Sequence, residues 1–390
     1  GRVASGVGKV GDPIIALNQE GEKVDSGKIT KILHRTGERG VQELGEAVAG
    51  DLVQIAGLSK ATVADTVCHP TLTTPLKTVP IDPPTVCMTF SPNDSPLAGK
   101  EGKKLTSQLI WDRLVQEAEN NVSIMVKKNL EEGGEGFDVY GRGELQLGIL
   151  IENMRREGFE LSVSPPQVLF QSINGKKHEP VEEVTVEVDS EFQSAIVKKL
   201  TERKGQVMEI RESSDEGRTR ITLHVPSRGM LGYRSIFFTD SRGTGILQRL
   251  YLEHQPYAGE MDNVRKGVLV SMAAGKTTTY SLKDLESRGT LFVGPRVDVY
   301  SGMIFGENSR DDDLEANPAK TKVLTNVRTT DGKDDLVQLV PPRQFNLEQA
   351  MAYINTDEVL EVTPTSIRMR KKELVQGKRQ VKNRDKGKGK

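Results

Sequence analysis

The chain has 390 residues, 35% of them apolar and 28% charged, with a net charge of −1. That length allows two to four domains, no run of ~18 apolar residues offers a membrane span, and Gly1-Arg2-Val3-Ala4-Ser5-Gly6 has neither a signal-peptide nor a transit-peptide pattern. The charge is uneven: Ser366–Lys390 holds eleven Lys or Arg against two acids, so this end reads either as a solubilising tail or as a phosphate-binding arm.

Residues 1–78 read as short strands between Gly turns, at 7–12, 14–17, 27–33 and 51–55, which predicts a small β-barrel. Pro75, Pro80, Pro83 and Pro84 punctuate a linker. Residues 79–166 then alternate strand (85–90), helix (105–121, with Leu109, Ile110, Leu114 and Ala118 on one side), strands (122–126 and 137–140), helix (144–157) and strand (159–163). The second helix shows Leu147, Leu150, Ile151 and Met154 at i, i+3, i+4, i+7. The order β-α-β-β-α-β is the split βαβ, or ferredoxin-like, unit. It repeats over 167–254: strand 181–188, a helix 190–203 opened by a Ser190/Gln193 capping box, strands 207–211 and 219–225, a weaker helix 228–240 and strand 246–252. Residues 255–372 return to strands, at 267–273, 291–298 and 359–363, with one short helix at 346–354. A stretch without period lies between Ile304 and Leu336, and such a long loop is usually functional or disordered. From 373 to 390 a disordered basic tail is expected. The predicted class is an α+β multidomain chain: a β-barrel, two ferredoxin-like split βαβ domains and a β-rich C-terminal domain with a long loop.

Catalytic and cofactor patterns fail one after another. Gly275-Lys276-Thr277 has Val270 where a phosphate loop needs its first Gly, and no helix is expected after it. No guanine-reading Asn-Lys-x-Asp occurs. His34, His69, His178, His224 and His254 lie far apart, and no H-E-x-x-H or C-x-x-C is present. Asp311-Asp312-Asp313 reads as a solvated acidic loop. Cys68 and Cys87 are the only thiols and fit a reducing compartment. The Arg-Gly pairs Arg142-Gly143, Arg228-Gly229, Arg242-Gly243 and Arg288-Gly289 read equally well as turns with a solvated Arg and as forks for phosphate. Few aromatics and no RNP1 pattern mean that RNA, if bound, is read through shape and phosphates.

Taken together the pieces resemble the BipA/TypA family of ribosome-associated GTPases. Gly1-Arg2-Val3 through Gly11-Asp12 resembles the second-domain barrel of elongation factors Tu and G, entered after its first strand. Ser95-Pro96, Gly102-Lys103, Gly141-Arg142-Gly143-Glu144-Leu145 and residues 151–158 resemble the third domain. Pro226-Ser227-Arg228-Gly229 and Gly232-Tyr233-Arg234-Ser235 resemble the fifth domain of elongation factor G. Ser309-Arg310, Asp313-Leu314, Asn317, Lys322, Leu324-Thr325-Asn326, Arg328 and Glu361-Val362-Thr363-Pro364 resemble the family's own C-terminal domain. Asn308 stands where many members have His. The resemblance implies RNA contacts from Ser309, Arg310, Lys320, Lys322, Asn326 and Arg328 in the loop, from Arg228 and Arg234, and from Arg368, Arg370, Lys371 and Lys372. It implies a monomer whose partners are large-subunit rRNA and an A-site tRNA, in a bacterial cytoplasm, a mitochondrial matrix or a chloroplast stroma. The GTP-binding domain of the family has no counterpart here, so GTP and Mg²⁺ are expected in an absent upstream domain and no cofactor in this chain. The chain then reads as a fragment that docks rather than hydrolyses. A GTPase-independent RNA chaperone or ribosome-binding scaffold is the alternative.

Overall fold

The computed structural model describes residues 1–35, 40–77, 82–129, 135–212, 217–261, 265–321 and 338–379. The chain divides into two compact units, Gly1–Pro83 and Pro84–Lys390.

The first unit holds β1 (Val7–Lys9), β2 (Pro13–Leu17), β3 (Lys23–Lys28), β4 (Lys31–Arg35), β5 (Val41–Leu44), β6 (Glu46–Val48), β7 (Val53–Ala56) and β8 (Thr66–Cys68). They form three separate ladders, β1-β6, β3-β2-β8 and β5-β4-β7. The expected barrel is therefore not closed by hydrogen bonds among the described residues. Strands of three to six residues are too short to pair along both edges all the way round. They wrap one small core instead, made by Ile14, Ile29, Ile32, Ala47 and Val53.

The second unit opens with β9 (Val86–Pro92), α1 (Ser107–Asn120), β10 (Met125–Asn129), β11 (Gly136–Gly141), α2 (Glu144–Arg156) and β12 (Leu161–Val163). The strand order is β10-β11-β9-β12, antiparallel throughout. Alternation along β9 sends Val86, Met88 and Phe90 inward, and α2 buries the four residues that its helical spacing marks. On α1, Ile110 and Leu114 are buried but Leu109 is 45% exposed, because one residue's step of ~100° turns it away.

Next come β13 (Gln167–Val168), β14 (Gln171–Ile173), β15 (Lys176–Asp189), α3 (Gln193–Glu202), β16 (Gln206–Glu212), β17 (Arg218–Pro226), α4 (Ser227–Met230), α5 (Tyr233–Asp240) and β18 (Ile246–Pro256). Here β18, β15, β17 and β16 lie side by side, and β14 also pairs with β15. The Ser190 capping box does not form. Ser190 starts a 3₁₀ turn and donates its hydroxyl to the Gly217 carbonyl at 2.9 Å instead. The weak helix expected over 228–240 is two helices, broken at Gly232, whose φ is +67°. Its N–H donates to both Glu144 carboxylate oxygens, at 2.9 and 3.1 Å, and an added Cβ would lie 2.5 Å from that of Ala352. Only glycine meets both demands without strain.

The last stretch contains β19 (Val268–Ser271), β20 (Gly275–Lys276), α6 (Thr279–Leu285), β21 (Gly289–Leu291), β22 (Asp298–Val299), β23 (Met303–Asn308), β24 (Leu314–Ala316), α7 (Leu347–Tyr353), β25 (Glu358–Val362) and β26 (Ile367–Lys371). β25 pairs antiparallel with β12, Leu161 opposite Val362. The sheet then runs on through β26, β23, β19 and β24, so eleven strands share it. One core underlies both halves, with Phe90, Leu114 and Ile151 beside Met351, Leu360 and Val362. The period-free stretch expected from Ile304 holds β23 and β24. α7 is closed by a capping box: Gln349 N–H donates to Asn346 Oδ1 at 2.7 Å, and Asn346 N–H to Gln349 Oε1 at 3.2 Å, worth ~1 kcal/mol. The tail is packed for longer than expected. Leu374 joins a small core with Tyr300 and Met303, and Arg379 is buried against Glu315 at 3.0 Å. Residues 380–390 lie outside the described residues.

Candidate nucleic-acid interface

The basic residues expected to meet RNA fall into three groups. Lys322, Asn326 and Arg328 lie outside the described residues. Arg228, Arg368, Arg370 and Lys371 point into the protein. Ser309, Arg310, Lys320, Arg234 and Lys372 are exposed.

The inward group is held by acids, some remote in sequence and some on the paired strand β25. Arg228 grips Glu179, which is 1% exposed, with two nitrogens, donates to the Gly259 carbonyl at 2.6 Å and lies on the Tyr257 ring. Arg368 pairs with Glu101 and, at 3.0 Å, with fully buried Glu361. Glu361 also accepts from Asn93, Ser95 and Tyr300, at 3.0, 2.8 and 2.6 Å. Arg370 pairs with Asp94. Lys371 meets Asp313, Glu358 and Asp357 at 2.6, 2.9 and 3.0 Å. Burial pushes the Lys371 ammonium down, but Glu358 and Asp313 outweigh it and hold its proton above the ordinary range. Likewise, burial raises the Glu101 carboxyl, but hydrogen bonds from Thr363 and Thr365 together with Arg368 pull it down to about 2. Each of these four cations is thus engaged by a carboxylate, buried Glu179, Glu361 and Glu358 for Arg228, Arg368 and Lys371, and exposed Asp94 for Arg370, which leaves them less charge for a phosphate than the sequence suggests.

Of the exposed group, Ser309 and Arg310 are displayed by a pinned turn. At the end of β23 the side chain of Asn308, itself buried, donates to the Asp312 carbonyl at 2.6 Å. Gly267 N–H donates to the Arg310 carbonyl at 3.0 Å, Ser309 N–H to the Arg288 carbonyl at 2.8 Å and Val268 N–H to Asp313 Oδ1 at 2.9 Å. The chains approach so closely that a Cβ on Gly267 would meet the Asp312 carbonyl oxygen at 2.1 Å. Backbone groups are satisfied inward, and the Ser309 and Arg310 side chains are left in solvent. Lys266 and Arg288 are exposed beside them. Asp311 and Asp312 are exposed too, so the turn is no uniform positive field, and phosphate recognition here depends on placed guanidinium forks.

A second exposed set surrounds Thr277 of the Gly275-Lys276-Thr277 run. Contrary to expectation a helix, α6, opens just after it, but Thr278 caps that helix by accepting from Ser281 N–H at 3.2 Å. Thr278 donates its hydroxyl to the Lys320 carbonyl at 2.6 Å, and Arg296 N–H donates to the Thr277 carbonyl at 2.8 Å. Lys276, Arg296 and Lys320 are thereby exposed around one short segment. Elsewhere Arg234 lies over the Phe238 ring, 5.4 Å from its centre. Lys266, Lys276, Arg288 and Arg296 were absent from the expected contacts. The Arg-Gly pair was the available signal for Arg288, and the Gly-Lys-Thr run for Lys276. Nothing local marks Arg296, which a positive φ of 65° presents at a turn.

A model of the TypA/BipA C-terminal domain matches residues 266–376, and a model of the elongation factor G C-terminus matches residues 176–265. The large ribosomal subunit assembly factor BipA of Synechocystis sp. is 43% identical over 371 residues, 95% of this chain and 61% of that protein. Its counterparts in Salmonella typhimurium and Escherichia coli strain K12 are 42% and 43% identical over 386 residues, 98% of this chain and 62% of each. The chain thus spans about three fifths of the length of these relatives.

Proposed function

Because this chain belongs to the TypA/BipA family, we propose that it is the ribosome-docking part of a translational GTPase acting in large-subunit assembly. The name its relatives carry, large ribosomal subunit assembly factor, supports that reading. The observation that carries it is the pinned 309–313 turn, which spends its backbone inward and leaves Arg310, with Arg288 and Lys266 beside it, free to meet phosphates. On this reading the hydrolysis, GTP and Mg²⁺ belong to the remainder of the full-length protein. The division at 78, 166, 254 and 372 follows its modules. The two strand orders described above support a ferredoxin-like reading of both split modules. The RNA is rRNA of the large subunit, with an A-site tRNA as a second surface, met by a single copy of the protein. Such a role belongs in a bacterial cytoplasm or an organelle of bacterial origin. No described helix is long and apolar enough to cross a membrane.

Co-sedimentation with large ribosomal subunits tests this. If six to ten phosphates are neutralised, affinity should fall ~10³–10⁵-fold between ~50 and ~200 mM salt. Replacing Arg288, Arg310 and Lys320 together with Ala should lower the salt slope by ~3 while circular dichroism stays unchanged. Binding that is absent at low salt, or insensitive to it, would overturn the proposal. Equal binding without the upstream part of the protein, in every nucleotide condition, would favour the GTPase-independent scaffold.

A further inference from the structure

Only 5% of the chain is aromatic, yet three rings meet next to the pinned turn. Phe292, Phe345 and Tyr353 pack with centroids 4.9, 5.5 and 5.0 Å apart, each partly buried over the main core. Two arginines lie on this cluster, in opposite circumstances. Arg265 covers Tyr353 at 4.5 Å and is consumed: its side chain is 10% exposed, and Glu358 takes both its terminal nitrogens, at 2.6 and 2.8 Å. Arg343 covers Phe345, also at 4.5 Å, but its side chain is 53% exposed. Its ion pair is a loose 3.6 Å to Glu307, whose same oxygen already accepts from the Tyr353 hydroxyl at 3.2 Å.

We infer that Arg343, laid on Phe345, is a platform on which one unpaired nucleobase of the docked RNA stacks. A guanidinium plane backed by a ring is held ready, and its second face can take a base while its N–H groups fork onto a phosphate. Bases inside a duplex have both faces covered, so the platform selects single-stranded nucleotides. The exposed ion pair to Glu307 is weak and gives way at little cost. The platform is also continuous with the turn. Arg343 N–H donates to the Leu291 carbonyl at 2.8 Å, β21 pairs with β23, and one step past Thr290↔Glu307 come Gly289↔Asn308 and then Arg288 and Ser309. Glu307 and Arg310 are three residues apart, at most ~10 Å along the chain. A strand held at Arg310 through its phosphates can therefore place a base on Arg343.

This inference rests on the RNA-docking reading, and the test separates the two. The chain is titrated with a blunt RNA hairpin, with the same hairpin carrying three unpaired adenosines, and with one carrying three abasic positions. The adenosine extension should tighten binding ~10-fold, the scale of one stacked base, and the abasic extension should add nothing beyond its charge. Arg343→Lys keeps the charge and loses the plane, so it should abolish the preference for the adenosine hairpin over the blunt one. Phe345→Leu should do the same; if it unfolds, the exposed Arg343→Lys decides alone. A wild-type chain that ignores the extension, or an Arg343→Lys variant that keeps the preference, overturns the platform while RNA docking stands. A chain that binds none of the hairpins overturns both.

Discussion

The C-terminal part of the molecule uses the same residue types in two opposite ways. On β26, Arg368, Arg370 and Lys371 are 11%, 3% and 7% exposed and each is matched to a carboxylate. On the turn after β23 and around α6, Arg288, Arg310, Lys276 and Lys320 are in water, held in place through their backbones. The first set acts as interior charge that fixes β26 between Glu101, Asp94 and Glu358. The second set is displayed and available. A basic count makes no such distinction. What decides is whether an acid has been folded against each cation: Asp94 and Glu101 come from far away in the chain, and Glu361 from the paired strand β25.

Breaking the inward set should cost most. Arg368→Ala leaves fully buried Glu361 without its counter-charge and should lower unfolding free energy by ~3 kcal/mol or more, read as a drop in the urea midpoint. A change below ~1 kcal/mol would mean that β26 is not held by its ion pairs. Gly232→Ala probes the neutral side of the same packing. With a φ of +67° and Ala352 in the way, it should cost ~2–3 kcal/mol and weaken the contact of Gly232 with Glu144, visible in thermal melts. Acid provides a third handle. The folded Glu101 pKa is depressed from 4.5 to about 2, so its contribution is fully present above ~4.5 and disappears as pH falls toward ~2. Allowing for solvent screening this amounts to ~1–2 kcal/mol. Glu101→Gln should flatten the wild-type decline between pH 5 and pH 3, and parallel curves would refute the assignment. The outward set should barely register in stability. Arg288→Ala with Arg310→Ala should change unfolding by under ~0.5 kcal/mol while each lowers the RNA-binding salt slope by ~1. If that double variant unfolds, the two sets do not differ in kind.

Local periodicity made some of this legible. The spacing of Leu147, Leu150, Ile151 and Met154 marks the face that α2 buries, and Asn346 before Leu347 and Met351 marks α7 with its inward side. The repeated β-α-β-β-α-β order also anticipates the strands of both split modules. The β12–β25 ladder was not legible, because its partners are about 200 residues apart and neither short strand carries a signal for the other. The same holds for Arg228 and Arg368. Their neighbours in sequence suggested phosphate contacts, while their remote partners, Glu179 for Arg228 and Glu101 for Arg368, are recognisable only once the sheets are assembled. Arg310 was found through resemblance, and the hydrogen bonds of Asn308 and Gly267 supply the physical reason for its exposure. The Ser190 box failed because a 3₁₀ turn offered its hydroxyl the Gly217 carbonyl.

The β12–β25 ladder also sets an order of events during synthesis. β9 to β12 emerge early, but the strand that covers the β12 edge emerges about 200 residues later, after the second split module has had time to fold between them. Until then β12 is an open edge, and open edges recruit foreign strands. A nascent chain stalled or cleaved before Glu358 should therefore aggregate through its first module even though every residue of that module is present. Completion of this sheet waits for β25, about 200 residues after β12, which makes the fold sensitive to synthesis being interrupted before Glu358.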